Sequence, residues 1–326
     1  MWITFGEIPP RQEPFWVLLA SCDNTSYDIV VTNFPGYDAA RAVTKNTDNN
    51  IKMLLAPGSD AHGYDPSAND IATIINCKVF VYVGGESDEE WVENKILNNV
   101  KETTKVVSMF KVLEGSLYEE EDHDHEEEGH DHDHDHEEVE YDEHVWTDPT
   151  NFAKIVEAIK DALVSVDTNN KEAYEANAKQ YKSALAELDS EMIEEIAKAN
   201  NDTIVVADRN PFLYFEKHYK IDVVGALSGC STDGTASMEK IRELKKVVED
   251  NKLKAIFTIE LSNGSIAKTL SDEIDKDIRE GSYAGESVTV YTLYSMHNIT
   301  KNDFEAGVTY LNLLDRNIEK LRTALS

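Results

Sequence analysis

An α/β chain of two lobes, each with a small, mostly parallel sheet flanked by helices and the two joined by one long rigid helix, is what three observations predict. Short β-branched runs alternate with stretches of helical periodicity, the signature of βαβ units. The alternation falls into two series of four. Between them, residues 150 to 210 contain neither glycine nor proline and keep helical spacing throughout.

The first series of candidate strands is Ile29 to Asn33, Ile51 to Ala56, Val79 to Val83 and Lys105 to Met109. The second is Thr203 to Ala207, Ile221 to Ala226, Lys254 to Ile259 and Val288 to Thr292. In the intervening stretch Phe152, Ile155, Val156, Ile159, Leu163 and Val166 share one helical face, and Pro149 sits in the first turn, where a helix tolerates it. From Lys171 to Asn200 the apolar positions Tyr174, Ala178, Tyr181, Leu185, Leu188, Met192 and Ile196 recur at steps of three and four. At about 1.5 Å per residue this helix would run about 45 Å, the width of a small domain, and reads as a strut. The expected organisation is a leader-like segment at 1–26, a first lobe at 27–168 carrying a His/Asp/Glu-rich loop at 117–142, a linking helix at 169–200 and a second lobe at 201–326.

With 326 residues, 41% of them hydrophobic, the chain can bury ordinary cores. Against 31 basic residues stand 63 acidic ones, a net charge of −32, which repels nucleic acid and anionic membranes and favours cationic ligands. Cys22, Cys77 and Cys230 are too few and too scattered for a disulfide framework or a zinc ribbon. Nowhere do 18 apolar residues run together, so no transmembrane helix is expected. Leu19-Ala20-Ser21-Cys22 looks like the end of a bacterial lipoprotein signal, with Cys22 as the lipidated residue. Glu7, Pro9, Pro10 and Glu13 argue against a normal signal core.

From Leu117 to Asp142 the sequence is dominated by Asp, Glu and His, with His123, His125, His130, His132, His134 and His136 close together. Such a stretch cannot bury apolar surface and reads as a solvated loop, and its imidazoles and carboxylates are ligands for borderline divalent ions. His125 and His130 flank one residue too many for the His-Glu-x-x-His of a metalloprotease, so that reading is rejected.

Pro57-Gly58-Ser59-Asp60-Ala61-His62-Gly63-Tyr64-Asp65-Pro66-Ser67 follows the second candidate strand and precedes a helix starting near Ser67. Open α/β sheets bind ligands beyond the carboxyl ends of their strands, which is where His62 falls, although a lone loop histidine is ordinarily structural. His144, in Tyr141-Asp142-Glu143-His144-Val145-Trp146-Thr147-Asp148-Pro149, is a second candidate ligand, or else a helix-start residue packed on Trp146.

The Pro-Gly-x-x-x-His-x-Tyr-x-Pro-Ser segment, the acidic histidine loop, the His-x-Trp-x-x-Pro after it and the long helix resemble the solute-binding proteins of zinc and manganese ABC importers. The likeness includes Val31-Thr32-Asn33-Phe34-Pro35-Gly36-Tyr37-Asp38 and extends from about Tyr27 to the end. It implies a single metal between two lobes, with His62 and His144 as the first lobe's ligands. It also implies an ABC permease as partner and a place on the outer face of the membrane. In the second lobe the pattern breaks, because Arg209 stands where zinc-type members carry histidine and manganese-type members glutamate, and arginine has no lone pair to give.

His297, in Leu293-Tyr294-Ser295-Met296-His297-Asn298, lies beyond the last candidate strand, as a cleft residue should, or else it caps the final helix. Water or a carboxylate would complete a tetrahedron with His62, His144 and His297. Glu260 and Asp208 are the carboxylates at hand; Glu260 is expected instead to pair with Arg209, since a stranded buried charge is costly. Cys230 is expected to be a loop or core thiol. The nitrogen-rich set favours zinc over manganese, and affinity should fall as imidazoles protonate. The expected function is extracellular capture of zinc by a monomer and delivery to a permease, not catalysis. The rivals are a zinc hydrolase using the same histidines and a metal-storing surface adhesin.

Overall fold

The computed structural model describes residues 27–60, 63–85, 87–120, 140–229, 231 and 235–325. The leader-like segment with Cys22, His62, Cys230 and the histidines between Glu120 and Glu140 lie outside the described residues.

In the first lobe the order is β1 (Ile29–Val31), α1 (Phe34–Val43), β2 (Ile51–Met53), α2 (Ala68–Asn76), β3 (Val79–Tyr82), α3 (Glu89–Trp91), β4 (Lys105–Ser108) and α4 (Met109–Val112). α3 continues into a π-helical turn, Val92–Leu97. The strands lie in the order β2-β1-β3-β4, all parallel, with Ile29 opposite both Ile51 and Val79. β1 is buried at every position because it is central and covered on both faces, which explains why its sequence is a β-branched run and not an alternation.

Two helices follow. α5 (Pro149–Val166) starts with proline at its first position and Asp148 as cap, accepting from Thr150 N at 2.7 Å. α6 (Lys171–Ala197) has 27 residues, about 40 Å of axis. The second lobe then repeats the first: β5 (Thr203–Asn210), α7 (Leu213–Tyr219), β6 (Asp222–Ser228), α8 (Met238–Asn251), β7 (Ala255–Thr258), α9 (Ser265–Glu280), β8 (Thr289–Thr292), α10 (Lys301–Glu305) and α11 (Tyr310–Ala324). Its sheet runs β6-β5-β7-β8, again parallel. All eight expected strands are present, seven of them within a residue or two of the expected ends or shorter. β5 instead runs on to Asn210 through a register shift between Val206 and Arg209, which puts Asp208 and Arg209 on the strand itself.

α6 is fastened to both lobes. On one side Tyr181 donates to Asp38 Oδ2 at 2.6 Å, and Asn177 donates to the carbonyls of Val43 and Lys45. On the other, Asp189 accepts from His218 Nε2 at 2.8 Å and from the Tyr219 hydroxyl at 2.9 Å. α11 closes the arrangement by returning to the first lobe, where Tyr310 N donates to Asp38 and Arg41 donates to Val308 O. One apolar cluster accordingly runs from Ile29 and Phe152 through Tyr174 and Leu185 to Phe257 and Leu321, while two smaller ones underlie the outer faces of the sheets. A core continuous across both lobes resists hinge opening, since separating them would expose it to water. No helix among the described residues is long and apolar enough to cross a membrane.

Candidate metal centre

His144 is placed by what lies on either side of it. Upstream, Glu120 N donates to Glu140 O and Asp142 N to Tyr118 O, an antiparallel stem that brings the chain back to the fold. Downstream, the 3-10 turn Val145–Thr147 leads into α5. Asp142 Oδ1 accepts from His144 N at 2.8 Å and lies 3.3 Å from His144 Nδ1. A proton on Nδ1 shared with this carboxylate puts the ring's lone pair on Nε2, the form that ligates a metal. Burial disfavours charge on the ring, but the charge and hydrogen bond of Asp142, with Glu143 and Glu120 beyond it, outweigh that and raise its pKa above the ordinary imidazole value.

His297 sits in the loop after β8, and its partner is Glu260 at the end of β7. The Glu260 carboxylate accepts from Ser295 N and from Ser295 Oγ, both at 2.7 Å, and from His297 N at 3.1 Å. Burial pushes the Glu260 pKa up, while these donors act to lower it, and burial prevails. Met296, between the two anchored residues, adopts the left-handed conformation at φ 62°, a strained state that the bonds on either side hold in place. The loop is also pinned to the first lobe: Asn298 donates to Ala56 O and Ser59 O, and Gly58 N to Ile299 O.

The two imidazoles meet there. Their ring centroids are 5.1 Å apart at 83°, and the Trp146 ring, 5.0 Å from His297, donates through Nε1 to Ser295 O at 2.9 Å. The expected packing of His144 on Trp146 is present, with ring centroids 5.6 Å apart. Glu143 joins them. It is fully buried, accepts from Ser87 N at 3.1 Å, and lies 3.9 Å from His297 Nε2.

One donor atom from each of Glu143, His144 and His297 falls within 4.8 Å of the other two. A tetrahedral zinc ion with bonds of about 2.1 Å holds its ligand atoms about 3.4 Å apart, so a small inward adjustment brings this set to coordination distance. A cavity of about 160 Å³ opens beside the imidazoles, lined among others by Asp60, Arg209, Glu260 and Leu261. A larger one of about 320 Å³, along β6, is lined by Glu120, Asp142, Glu216 and Lys240 and has no imidazole in its wall.

One expectation needs correction. Arg209 does not pair with Glu260; its Nη1 bonds Asp60 Oδ2 across the cleft at 3.0 Å and approaches Ser231 O at 3.5 Å. Glu260 answers instead to the backbone of the His297 loop, so its burial is offset by neutral donors and not by a cation. Asp208 is likewise engaged, accepting from Ser262 Oγ and from Arg209 N. Glu143 is the residue that sequence reasoning passed over. Its signal was its place beside His144, but only the fold shows that the turn at 143–147 and the loop at 295–298 face the same space.

A cleft between two parallel sheets, with imidazoles brought to it from both sides by loops beyond the strands, defines the two-lobed α/β class whose ligand sites lie between the lobes. The sequence profile of the zinc-uptake complex component A periplasmic family, ZnuA, matches residues 29–324, and the chain belongs to that family. It is 32% identical over 315 residues to the zinc-binding lipoprotein AdcA of Streptococcus pneumoniae (strain ATCC BAA-255 / R6), covering 94% of this chain and 58% of AdcA. It is 28% identical over 324 residues to the high-affinity zinc uptake system protein ZnuA of Bacillus subtilis (strain 168), covering 95% and 94%. The crystal structure of the Zn(II)-bound ZnuA-like domain of AdcA superposes with a TM-score of 0.70 at 27% identity, covering 92% of this chain and 99% of that one. The chain thus spans 58% of the length of AdcA but nearly all of its ZnuA-like domain.

Proposed function

We propose that the protein captures zinc outside the cytoplasmic membrane and hands it to an ABC permease. His144, His297 and Glu143 hold the ion as cargo, and His62 supplies a fourth ligand. The observation that carries this is the meeting of two imidazoles and a buried carboxylate, from segments far apart in the chain, within 4.8 Å. Two nitrogens in the set favour zinc over manganese, which prefers oxygen donors. The zinc in the names of AdcA and of the Bacillus subtilis ZnuA, and in the Zn(II)-bound ZnuA-like domain, supports the same ion.

Binding without catalysis is supported by the state of the carboxylates. A metallohydrolase needs a general base beside the metal-bound water. Glu260 accepts three hydrogen bonds and Asp208 two, so neither is poised for that role. Tethering through a lipidated Cys22 fits the lipoprotein name of the relative. The protein acts as a monomer docking on its permease.

Calorimetric titration of chelator-stripped protein with zinc tests the reading. One tightly bound ion is expected, lost in His144→Ala and in His297→Ala. Unchanged one-to-one binding in the double variant would overturn it.

A further inference from the structure

The wall of the metal cavity is uneven. His144, Glu260, Ser295 and Asn298 are buried, whereas Asp60 is 55% exposed at its side chain and Leu261 40% exposed overall. Solvent therefore meets the cavity at Asp60. Arg209, a half-buried guanidinium, lines the same cavity as Asp60 and the imidazoles. A fixed positive charge there opposes the ion's approach unless something offsets it. Asp60, from the loop after β2, offsets it from across the cleft.

We infer that Asp60 is the entry ligand of this cavity and that Arg209 is the cation an arriving divalent ion displaces from it. The ion is expected to be zinc, so the inference rests on the function proposed above. The physical argument is one of competition for a single carboxylate. An ion pair this open to water is weak, so it breaks readily. A divalent ion attracts a carboxylate about twice as strongly as a guanidinium at the same distance, so it exchanges for Arg209 without a large barrier. Once the ion has moved inward to the imidazoles, Arg209 recovers Asp60 and the mouth closes behind it.

The Arg209 side of the mouth is built to stay in place. Arg209 lies on β5, Asp208 beside it is hydrogen-bonded to Ser262, and Leu261 is held in the left-handed region at φ 64°. Such strain at a wall residue is typical of functional sites. Asp60 stands on a loop with its side chain 55% exposed, so that only this side chain need turn from one cation to the other. On this view Arg209 is a positioning residue that acts through Asp60, and the pair sets how fast zinc enters and leaves more than how tightly it is held.

Stopped-flow measurement of zinc association and of its release to a chelator, on the full chain, tests this. Asp60→Asn should slow both entry and release by about three- to tenfold and leave the equilibrium affinity nearly unchanged. Arg209→Gln should speed both, and Arg209→Lys, which keeps the charge, should restore rates near those of the unaltered protein. In the Asp60→Asn background Arg209→Gln should no longer speed release, since no carboxylate remains for it to free, and only the entry that the bare guanidinium repels should recover. An unchanged association rate in Asp60→Asn would overturn the inference. So would equal acceleration by Arg209→Gln with and without Asp60, because that is the behaviour of plain charge repulsion. If zinc binds through the imidazoles while these variants are silent, only this inference falls; if His144→Ala and His297→Ala leave tight binding intact, the function it rests on falls with it.

Discussion

The two sheets share one strand order, and in each the segment leaving the outermost strand, β4 or β8, carries an imidazole to the cleft. They reach it differently. His297 follows β8 within one short loop, whose shape depends on three hydrogen bonds to Glu260 and on a left-handed Met296. His144 comes only after α4, the acidic histidine segment and a closing stem, and is fixed by Asp142 and by the start of α5. One imidazole is held by a bent loop and a single buried carboxylate, the other by the entry to a long helix. A duplicated frame can therefore present matching imidazoles with supports of unequal rigidity.

The largest expected effects should be equal on the two sides. His144→Ala and His297→Ala each remove one donor from a small set and should weaken zinc binding by about a hundredfold or more, measured by competition with a chelator of known affinity. A much smaller loss on one side would mean that the ion leans on one lobe alone. The supports should then separate the two. Glu260→Gln replaces an acceptor with a group that is half donor, facing three donors, so about 1–3 kcal/mol of stability should go, together with about tenfold in affinity. Asp142→Asn keeps an oxygen for His144 N and should lower affinity with little change in thermal midpoint. Equal destabilisation by the two would erase the proposed difference.

The alternation of β-branched runs, the helical phase of Phe152 to Val166 and the glycine-free strut made the frame legible, because each is a local pattern repeated over many residues. His144 and His297 were legible for a related reason: both stand just beyond an element boundary. Arg209 and Glu260 were misread as partners because the rule that a buried charge seeks an opposite charge does not say which one. Glu260 found neutral N–H groups, and Arg209 found Asp60 on the other lobe, a contact set by how the lobes dock. Glu143 was hidden by the same gap, since chain neighbours such as Glu143 and His144 bring donor atoms to one point only if the turn between them is tight.

The strut extends the comparison. To the first lobe it is tied by Tyr181 and Asp38, whose phenol keeps its proton far above neutral pH because burial and the neighbouring carboxylate both oppose its loss. To the second it is tied by His218, whose ring bonds Asp189 at 2.8 Å and faces Asp148 at 3.4 Å. The hydrogen bond to Asp189 raises the His218 pKa above its ordinary value, burial opposes, and the charges of Asp148 and Asp189 add to the rise. A folded-state value above the unfolded one means that this joint stabilises the fold fully below the ordinary imidazole pKa and is lost as pH climbs through the raised value. His218→Gln should lower the thermal midpoint by about 2 °C near pH 6, for a loss of about 1 kcal/mol, and converge with the parent once the pH has passed the raised value. Parallel midpoint curves across that range would show that His218 does not carry a charge between the two carboxylates.

The smallest effect should come from the most conspicuous part of the sequence. Glu120 and Glu140 are joined by a backbone hydrogen bond of 3.0 Å, so residues 121–139 can be replaced by a short glycine-serine turn without disturbing the stem. Because Glu143, His144 and His297 all lie outside that segment, the tight one-to-one site should keep its affinity within about threefold, while weaker ions beyond the first should disappear from the titration. Loss of the tight ion on this deletion would move the primary site onto the histidine run. The cleft would then be left with a supporting part, and the symmetry between the two sheets would have no bearing on metal capture.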